Sequence, residues 1–131
     1  MSGTRTSPSE PTSGTRLVLQ DTAARFKAFA DPTRLRILNL LHERELCVCH
    51  LVEVLRESQP KISQHLATLR SAELVTVRSD GTWRWYGLPE EGGCLRDILL
   101  TCVRSCLRPT EELQADLQRL ADLGDRMPCR E

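Results

Sequence analysis

Two cysteines separated by one residue, Cys47 and Cys49, are the side chains of this 131-residue chain best suited to chemistry. A thiolate is a soft ligand for thiophilic metals and metalloids, and it is also the form of cysteine that oxidises. The pair stands at the predicted start of a short helix, where free backbone N–H groups favour a negatively charged sulfur. Residues two apart on a regular helix point about 200° away from each other. We therefore expect both sulfurs to reach one atom only if the first turn is unwound.

The chain contains six cysteines, and its compartment decides how they are interpreted. The N-terminal residues lack the apolar core of a signal peptide, and no apolar run approaches the roughly 20 residues of a membrane-spanning helix. We expect a cytoplasmic protein without membrane contact, in which thiols stay reduced. Cys102 and Cys106 are spaced to share one helix face and are candidates for a third thiolate, within the subunit or across a dimer. The surroundings of Cys94 and Cys129 indicate no role.

Helical periodicity and capping signals predict a helix-turn-helix around the cysteine pair. A first helix is predicted from about Asp21 to Ala30, and a second begins with Asp31 as N-cap followed by Pro32. Residues 47–55 form a short third helix. Ser58 caps a fourth helix, which presents one apolar face and a polar outer face. The apolar face consists of Ile62, Leu66 and Leu69.

Alternating residues after the fourth helix predict a β-hairpin wing. The two strands are residues 74–78 and 82–88, joined by a turn at Ser79-Asp80-Gly81. Two further helices follow, over residues 94–107 and 110–124, the second capped by Thr110. The fold class is mainly α with a small β-hairpin (α+β), a dimeric winged helix-turn-helix. We divide the chain into a disordered arm (1–17), a DNA-binding and dimerisation domain (18–109) and a C-terminal helix with a tail (110–131).

A DNA-binding face must be built locally, because the formal net charge of the chain is zero. Between residues 58 and 88, basic residues outnumber acidic ones. Gln64 is placed to bond adenine through both ends of its amide, while arginines on the helix and wing suit phosphates. Trp83, Trp85 and Tyr86 are predicted to pack the wing. The candidate DNA-binding residues are Gln59, Lys61, Ser63, Gln64, His65, Thr68, Arg70, Arg78 and Arg84.

Three segments of the chain resemble the ArsR/SmtB family, and specifically its arsenic-responsive repressors. They are residues 31–38, residues 45–51 (Glu-Leu-Cys-Val-Cys-His-Leu) and residues 58–66. The resemblance covers about residues 20–90. It implies a homodimer that binds double-stranded operator DNA with two recognition helices in successive major grooves. It also implies release by trivalent arsenic or antimony, as arsenite, antimonite or a trivalent organoarsenical, with no required cofactor and no enzymatic activity.

The sequence departs from that family pattern at two positions near the cysteine pair. Val52 occupies the place where many such repressors carry a third cysteine, and His50 replaces the usual aspartate. We expect His50 to lie on the surface. The helix beginning at Cys94 has no histidine, so the C-terminal zinc site of other members is not supported. If no third sulfur is supplied, a dithiol site suits a monosubstituted trivalent arsenical, which has two exchangeable positions.

Three alternative functions use the same thiols. A redox-sensing repressor would oxidise the cysteines instead of binding a metalloid. A zinc or cadmium sensor is disfavoured, because mixed histidine, aspartate and cysteine ligands are scarce. A thiol oxidoreductase, from a different class of protein, would need a strand-helix-strand scaffold beside the pair, which the predicted flanking helices do not provide.

Overall fold

The computed structural model describes residues 18–90 and 93–126 as a helical fold with one antiparallel hairpin. The predicted N-terminal arm, and Cys129 in the predicted tail, lie outside the described residues. The elements are α1 (Leu19–Phe29), α2 (Pro32–Leu41), α3 (Val48–Leu55), α4 (Gln59–Ser71), β1 (Thr76–Asp80), β2 (Trp83–Gly87), α5 (Cys94–Cys102), which continues as a π-helix over Val103–Leu107, and α6 (Glu111–Leu123). This order confirms the predicted fold class. None of the helices described is long and apolar enough to span a bilayer.

Two of the predicted helix starts are built by side-chain caps. Asp31 Oδ2 accepts a hydrogen bond from the backbone N–H of Arg34 at 3.0 Å, and Pro32 occupies the first turn of α2. Ser58 Oγ accepts from the backbone N–H of Lys61 at 3.4 Å at the start of α4. Thr110 is the N-cap residue of α6, as predicted, although its side chain makes no capping hydrogen bond. Two glutamates in the first turn of α6 complement the positive end of the helix dipole instead.

A single apolar core fixes α4 against α2 and α3. The predicted inner face of α4 is fully confirmed, since Ile62, Leu66 and Leu69 are at most 1% exposed. Leu51 and Val54 of α3 belong to the same cluster. The α3 helix ends at Arg56, whose positive φ of 59° turns the chain sharply before α4 begins. The orientation of α4 therefore depends on the position of α3.

The first strand of the hairpin lies two residues later than predicted, whereas β2 lies within the predicted second strand. Asp80 pairs with Trp83, so the two-residue loop is Gly81-Thr82 and not Ser79 to Gly81. Gly81 has a φ of 65°, which the first position of a tight hairpin loop requires and which glycine adopts without strain. Leu74 and Val75, predicted in the first strand, precede it and are buried in the core. Burial of these two residues anchors the base of the wing.

Helix α6 packs across α2 and α3 through polar as well as apolar contacts. Arg36 donates from Nε and Nη2 to the two carboxylate oxygens of Asp116, at 2.8 and 2.9 Å. Asn39 Nδ2 donates to the carbonyl of Leu113 at 3.2 Å. Arg119 Nε donates to the carbonyl of Val54 in α3 at 2.8 Å. These bonds fix the position of α6 relative to α2 and α3.

Apolar side chains remain exposed on α1 and α5. Phe26 is 49% exposed and Ile98 is 59% exposed. The buried residue of α1 is Ala28, and Phe29 packs against the core beside it.

Candidate ligand site and nucleic-acid interface

The sulfurs of Cys47 and Cys49 lie 2.7 Å apart at the start of α3. Cys47 is the N-cap residue and has an extended backbone, with φ −93° and ψ 171°. Because Cys47 stands outside the helix, its side chain is free of the helical 200° relation to Cys49. The expectation that the first turn must unwind is therefore wrong. The two sulfurs already meet beside an intact helix.

His50 completes a buried cluster with the two cysteines. Its predicted surface location is wrong, since the side chain is fully buried. Nδ1 accepts a hydrogen bond from the backbone N–H of Cys47 at 3.1 Å, so the ring proton sits on Nε2. Nε2 then donates to the carbonyl of Arg126 at 3.2 Å. Burial lowers the pKa of His50, and the charge of Arg44 lowers it further, which keeps the ring neutral.

Within the described residues, Cys47, Cys49 and His50 form the one group whose donor atoms are close enough to hold an ion. These donor atoms all lie within 4.8 Å of one another. Cys102 and Cys106 are not in the group. They line a separate hollow on α5 and the π-helix, beside Ile98. Burial raises the pKa of the Cys102 thiol, and Cys106 raises it further. A third thiolate from either residue across a dimer stays a prediction.

The residues just before the cluster contact the wing. Leu46 and Tyr86 exchange two backbone hydrogen bonds, of 3.0 and 2.8 Å, in an isolated β-bridge. The ring of His50 lies 5.8 Å from that of Trp85. Glu45 accepts from Arg78 at 2.8 Å. The cysteine pair at the start of α3 therefore lies beside the wing, and α3 in turn packs against α4.

The outer face of α4 carries most of the predicted DNA-binding residues. Gln59, Ser63 and Gln64 are exposed. Lys61 is half exposed and pairs with Glu57 at 3.1 Å. The hydroxyl of Thr68 is bonded to a backbone carbonyl of its own helix at 3.2 Å. The exposed amides and hydroxyl on this face are available to base edges or phosphates.

Two arginines converge between α4 and the wing. Arg70 of α4 and Arg84 of β2 line one hollow, together with Ser63 and Tyr86. No residue in 18–90 or 93–126 forms an ion pair with either guanidinium. Two positive charges without an ion-pair partner among the described residues, at the edge of α4, suit the phosphate backbone of a nucleic acid.

Two other predicted DNA-binding residues have partners inside the protein. His65 is only 16% exposed, and its Nδ1 lies 3.3 Å from Arg34 and 3.9 Å from Asp31. It therefore faces the start of α2. Arg78 is bonded to Glu45, which raises its pKa, and its guanidinium lies over the ring of Trp85. DNA contacts from His65 and Arg78 stay predictions.

Comparison with known proteins gives the family. Residues 31–77 match the profile described as "Bacterial regulatory protein, arsR family". Over 102 residues the chain is 44% identical to the arsenic resistance transcriptional regulator ArsR1 of Pseudomonas putida strain KT2440, which covers 77% of this chain and 78% of that protein. The chain belongs to the ArsR family. Membership confirms the resemblance found in the sequence, and the expectation of a regulator and not an enzyme.

Two other relatives of this ArsR-family protein are informative. The arsenical resistance operon repressor of Escherichia coli K12 is 55% identical over 64 residues, which are 48% of this chain and 55% of that protein. The homodimeric winged helix-turn-helix domain of Mb0332 from Mycobacterium bovis superposes with a TM-score of 0.59 at 28% identity, over 71% of this chain and 83% of that one. The described fold is thus the winged helix-turn-helix.

Sequence reasoning missed three features of the cluster formed by Cys47, Cys49 and His50. One is the burial of His50. The others are the hydrogen bond from His50 to Arg126 and the bridge from Leu46 to Tyr86, both of which join residues distant in sequence. A local signal existed only for His50, which occupies the third position after an N-cap. There its side chain accepts from the N-cap backbone, as glutamate does in a capping box.

Proposed function

We propose that this protein represses transcription of an arsenic or antimony resistance operon and leaves its operator when trivalent metalloid binds Cys47 and Cys49. The supporting observation is the 2.7 Å approach of the two sulfurs at the N-terminus of α3. Trivalent arsenic is soft and prefers sulfur ligands. The names of the P. putida and E. coli relatives point to the same class of inducer. The protein acts in the cytoplasm, where thiols are kept reduced.

Metalloid binding exchanges oxygen for sulfur without oxidation or reduction. Each thiol loses its proton to a hydroxyl of arsenous acid, an As–S bond replaces an As–O bond, and one water leaves for each sulfur bound. An arsenic atom bonded to both sulfurs must move them apart, because its two As–S bonds meet at an angle too wide for sulfurs only 2.7 Å apart. Movement of Cys47 shifts the N-cap of α3 and the adjacent bridge to Tyr86. The ligand thereby favours a conformation that fits DNA poorly.

The DNA-bound form is a homodimer with α4 of each copy in a major groove. Exposed apolar side chains on α1 and α5, among them Phe26 and Ile98, support pairing through these helices. The homodimeric state of the M. bovis domain supports the same assembly. In this arrangement Gln64 contacts bases, while Arg70 and Arg84 contact phosphates.

Titration of the operator complex with different inducers tests the proposed function. Fluorescence anisotropy of labelled operator DNA is followed with a phosphine reductant present, so that added thiols do not compete for arsenic. We expect arsenite and antimonite to release the protein. Release only by peroxide after removal of reductant would identify a redox sensor, and release only by zinc or cadmium would identify a metal sensor.

Gln64→Ala should weaken binding to the specific operator by about 1–3 kcal/mol, the usual value of a bidentate base contact. Gln64 is exposed on the outer face of α4, so its removal leaves the core intact. Anisotropy titration against operator and scrambled DNA measures the effect. Gln118→Ala, on the exposed face of α6, is the matched control. Equal operator affinities for the two variants would contradict the assignment of this face.

A further inference from the structure

Glu73 adopts a backbone conformation that a residue with a side chain disfavours. It follows the C-terminal end of α4 and has a φ of 63°, in the left-handed region. Its backbone N–H donates to the carbonyl of Arg70 at 2.9 Å, and the N–H of Leu74 donates to the carbonyl of Leu69 at 2.9 Å. These two bonds form a Schellman motif, in which glycine usually occupies the position of Glu73. A Cβ raises the free energy of this conformation, so glutamate here lowers stability relative to glycine.

The side chain of Glu73 joins α1 and α5 to the end of α4. Its Oε1 lies 2.6 Å from Nη2 of Arg25 in α1 and 3.6 Å from Nη1 of Arg96 in α5. Arg25 Nε also donates to the carbonyl of Ala72 at 3.1 Å. Arg96 Nη1 donates to the backbone carbonyl of Glu73 at 3.4 Å. The end of α4 is therefore held by one helix that precedes it in the chain and by one that follows it.

The two helices that hold Glu73 are also the helices with exposed apolar side chains. Phe26 is the neighbour of Arg25 in α1, and Ile98 lies two residues after Arg96 in α5. In the proposed homodimer these helices form the interface between the copies. In a symmetric dimer, the distance and angle between the two α4 helices depend on how each α4 is held relative to that interface. Glu73 lies where this relation is fixed.

We propose that Glu73 is a positioning residue for DNA recognition, which holds α4 against the dimer interface and so sets the spacing of the half-sites that the protein binds. The inference rests on the proposed function and adds a determinant of specificity to it. A change of one base pair between the half-sites moves one of them by about 3.4 Å and rotates it by about 34°. Two α4 helices held by Glu73 follow that change only by breaking contacts, whereas helices released from Glu73 follow it at a lower cost.

Glu73→Gly and Glu73→Ala in the full chain test the inference, because both remove the carboxylate and only glycine relieves the backbone. The probes are the duplex that the wild-type protein selects from a random-sequence library, and two derivatives with one base pair inserted or deleted between the half-sites. In both variants the ratio of affinity for the selected duplex to affinity for its derivatives should fall by about threefold or more, an effect that two partly exposed ion pairs can supply. Urea unfolding should show Glu73→Gly to be more stable than Glu73→Ala.

A purely structural role of Glu73 predicts a different pattern, in which selectivity falls only where stability falls and Glu73→Gly keeps the wild-type ratio. That pattern, or an unchanged ratio in both variants, would overturn the inference and leave the proposed function standing. Failure of the wild-type protein to select a duplex with two half-sites would overturn the proposed homodimeric DNA-bound form instead. Glu111→Ala removes an exposed acid from α6 and is the charge-matched control, which should keep the wild-type ratio. Titrations are made at concentrations where sedimentation shows each protein to be dimeric.

Discussion

Cys47→Ser is expected to remain on operator DNA at arsenite concentrations that release the wild-type protein completely. Serine is nearly the same size as cysteine and is a preferred N-cap residue, so α3 should keep its start. Its hydroxyl is a hard ligand at neutral pH and does not replace a thiolate on arsenic. We expect operator affinity in the absence of inducer to stay within about threefold of the wild type, less than 1 kcal/mol. Anisotropy titrations with and without arsenite measure both quantities.

The matched control for this prediction is Cys94→Ser, which changes an exposed cysteine at the start of α5. It should release DNA as the wild type does. Cys49→Ser should behave like Cys47→Ser, because each variant leaves one sulfur of the pair. A Cys47→Ser protein that dissociates at the wild-type arsenite concentration would contradict the proposed site. Unfolding curves for each variant distinguish loss of induction from loss of structure.

The position of the cluster gives the proposed metalloid binding two routes to the surfaces proposed to contact DNA. Cys47 caps α3, whose Leu51 and Val54 share a core with the inner face of α4. Leu46, one residue earlier, is hydrogen-bonded to Tyr86 of β2. A displacement of Cys47 thus acts on the recognition helix and on the wing together. Because both elements must fit the same stretch of DNA, a small relative shift is enough to weaken binding.

Local signals in the sequence predicted most of the fold. The Asp31-Pro32 and Ser58 caps, and the apolar spacing of Ile62, Leu66 and Leu69, depend on interactions within one helix and its next neighbour. The position of the hairpin turn was less accurate, because both Asp80 and Gly81 favour turns. Leu74 and Val75, which the alternation placed in the strand, are instead buried in the core. The first strand therefore begins two residues later than predicted, at Thr76.

The candidate site was predicted in its residues but not in its geometry. The spacing of Cys47 and Cys49 indicated a soft ligand site, and the family resemblance gave its expected inducer. The helix boundary, one residue later than predicted, is what lets the sulfurs meet without unwinding. The buried ring of His50 bonds the carbonyl of Arg126, which follows α6 and lies 76 residues further along the chain. Such long-range packing leaves no local pattern in a single sequence.

Asp116→Ala should destabilise the protein by about 3 kcal/mol or more, the cost of removing one partner from a buried ion pair. Asp116 is fully buried and accepts a bidentate pair of hydrogen bonds from Arg36, as well as one from Arg119. The carboxylate raises the pKa of Arg36, so the guanidinium stays charged and loses its compensation in the variant. The two arginine side chains are 18% and 29% exposed, which places the expected loss at the lower end of the range for buried pairs.

Urea unfolding at a fixed protomer concentration measures this loss, since dimerisation makes stability depend on concentration. Asp122→Ala is the matched control, an exposed acid on the same helix whose removal should cost less than about 0.5 kcal/mol. Equal stability of the two variants would show that α6 is not anchored through Asp116. The same anchor holds α6 along α3 up to the contact of Arg126 with His50.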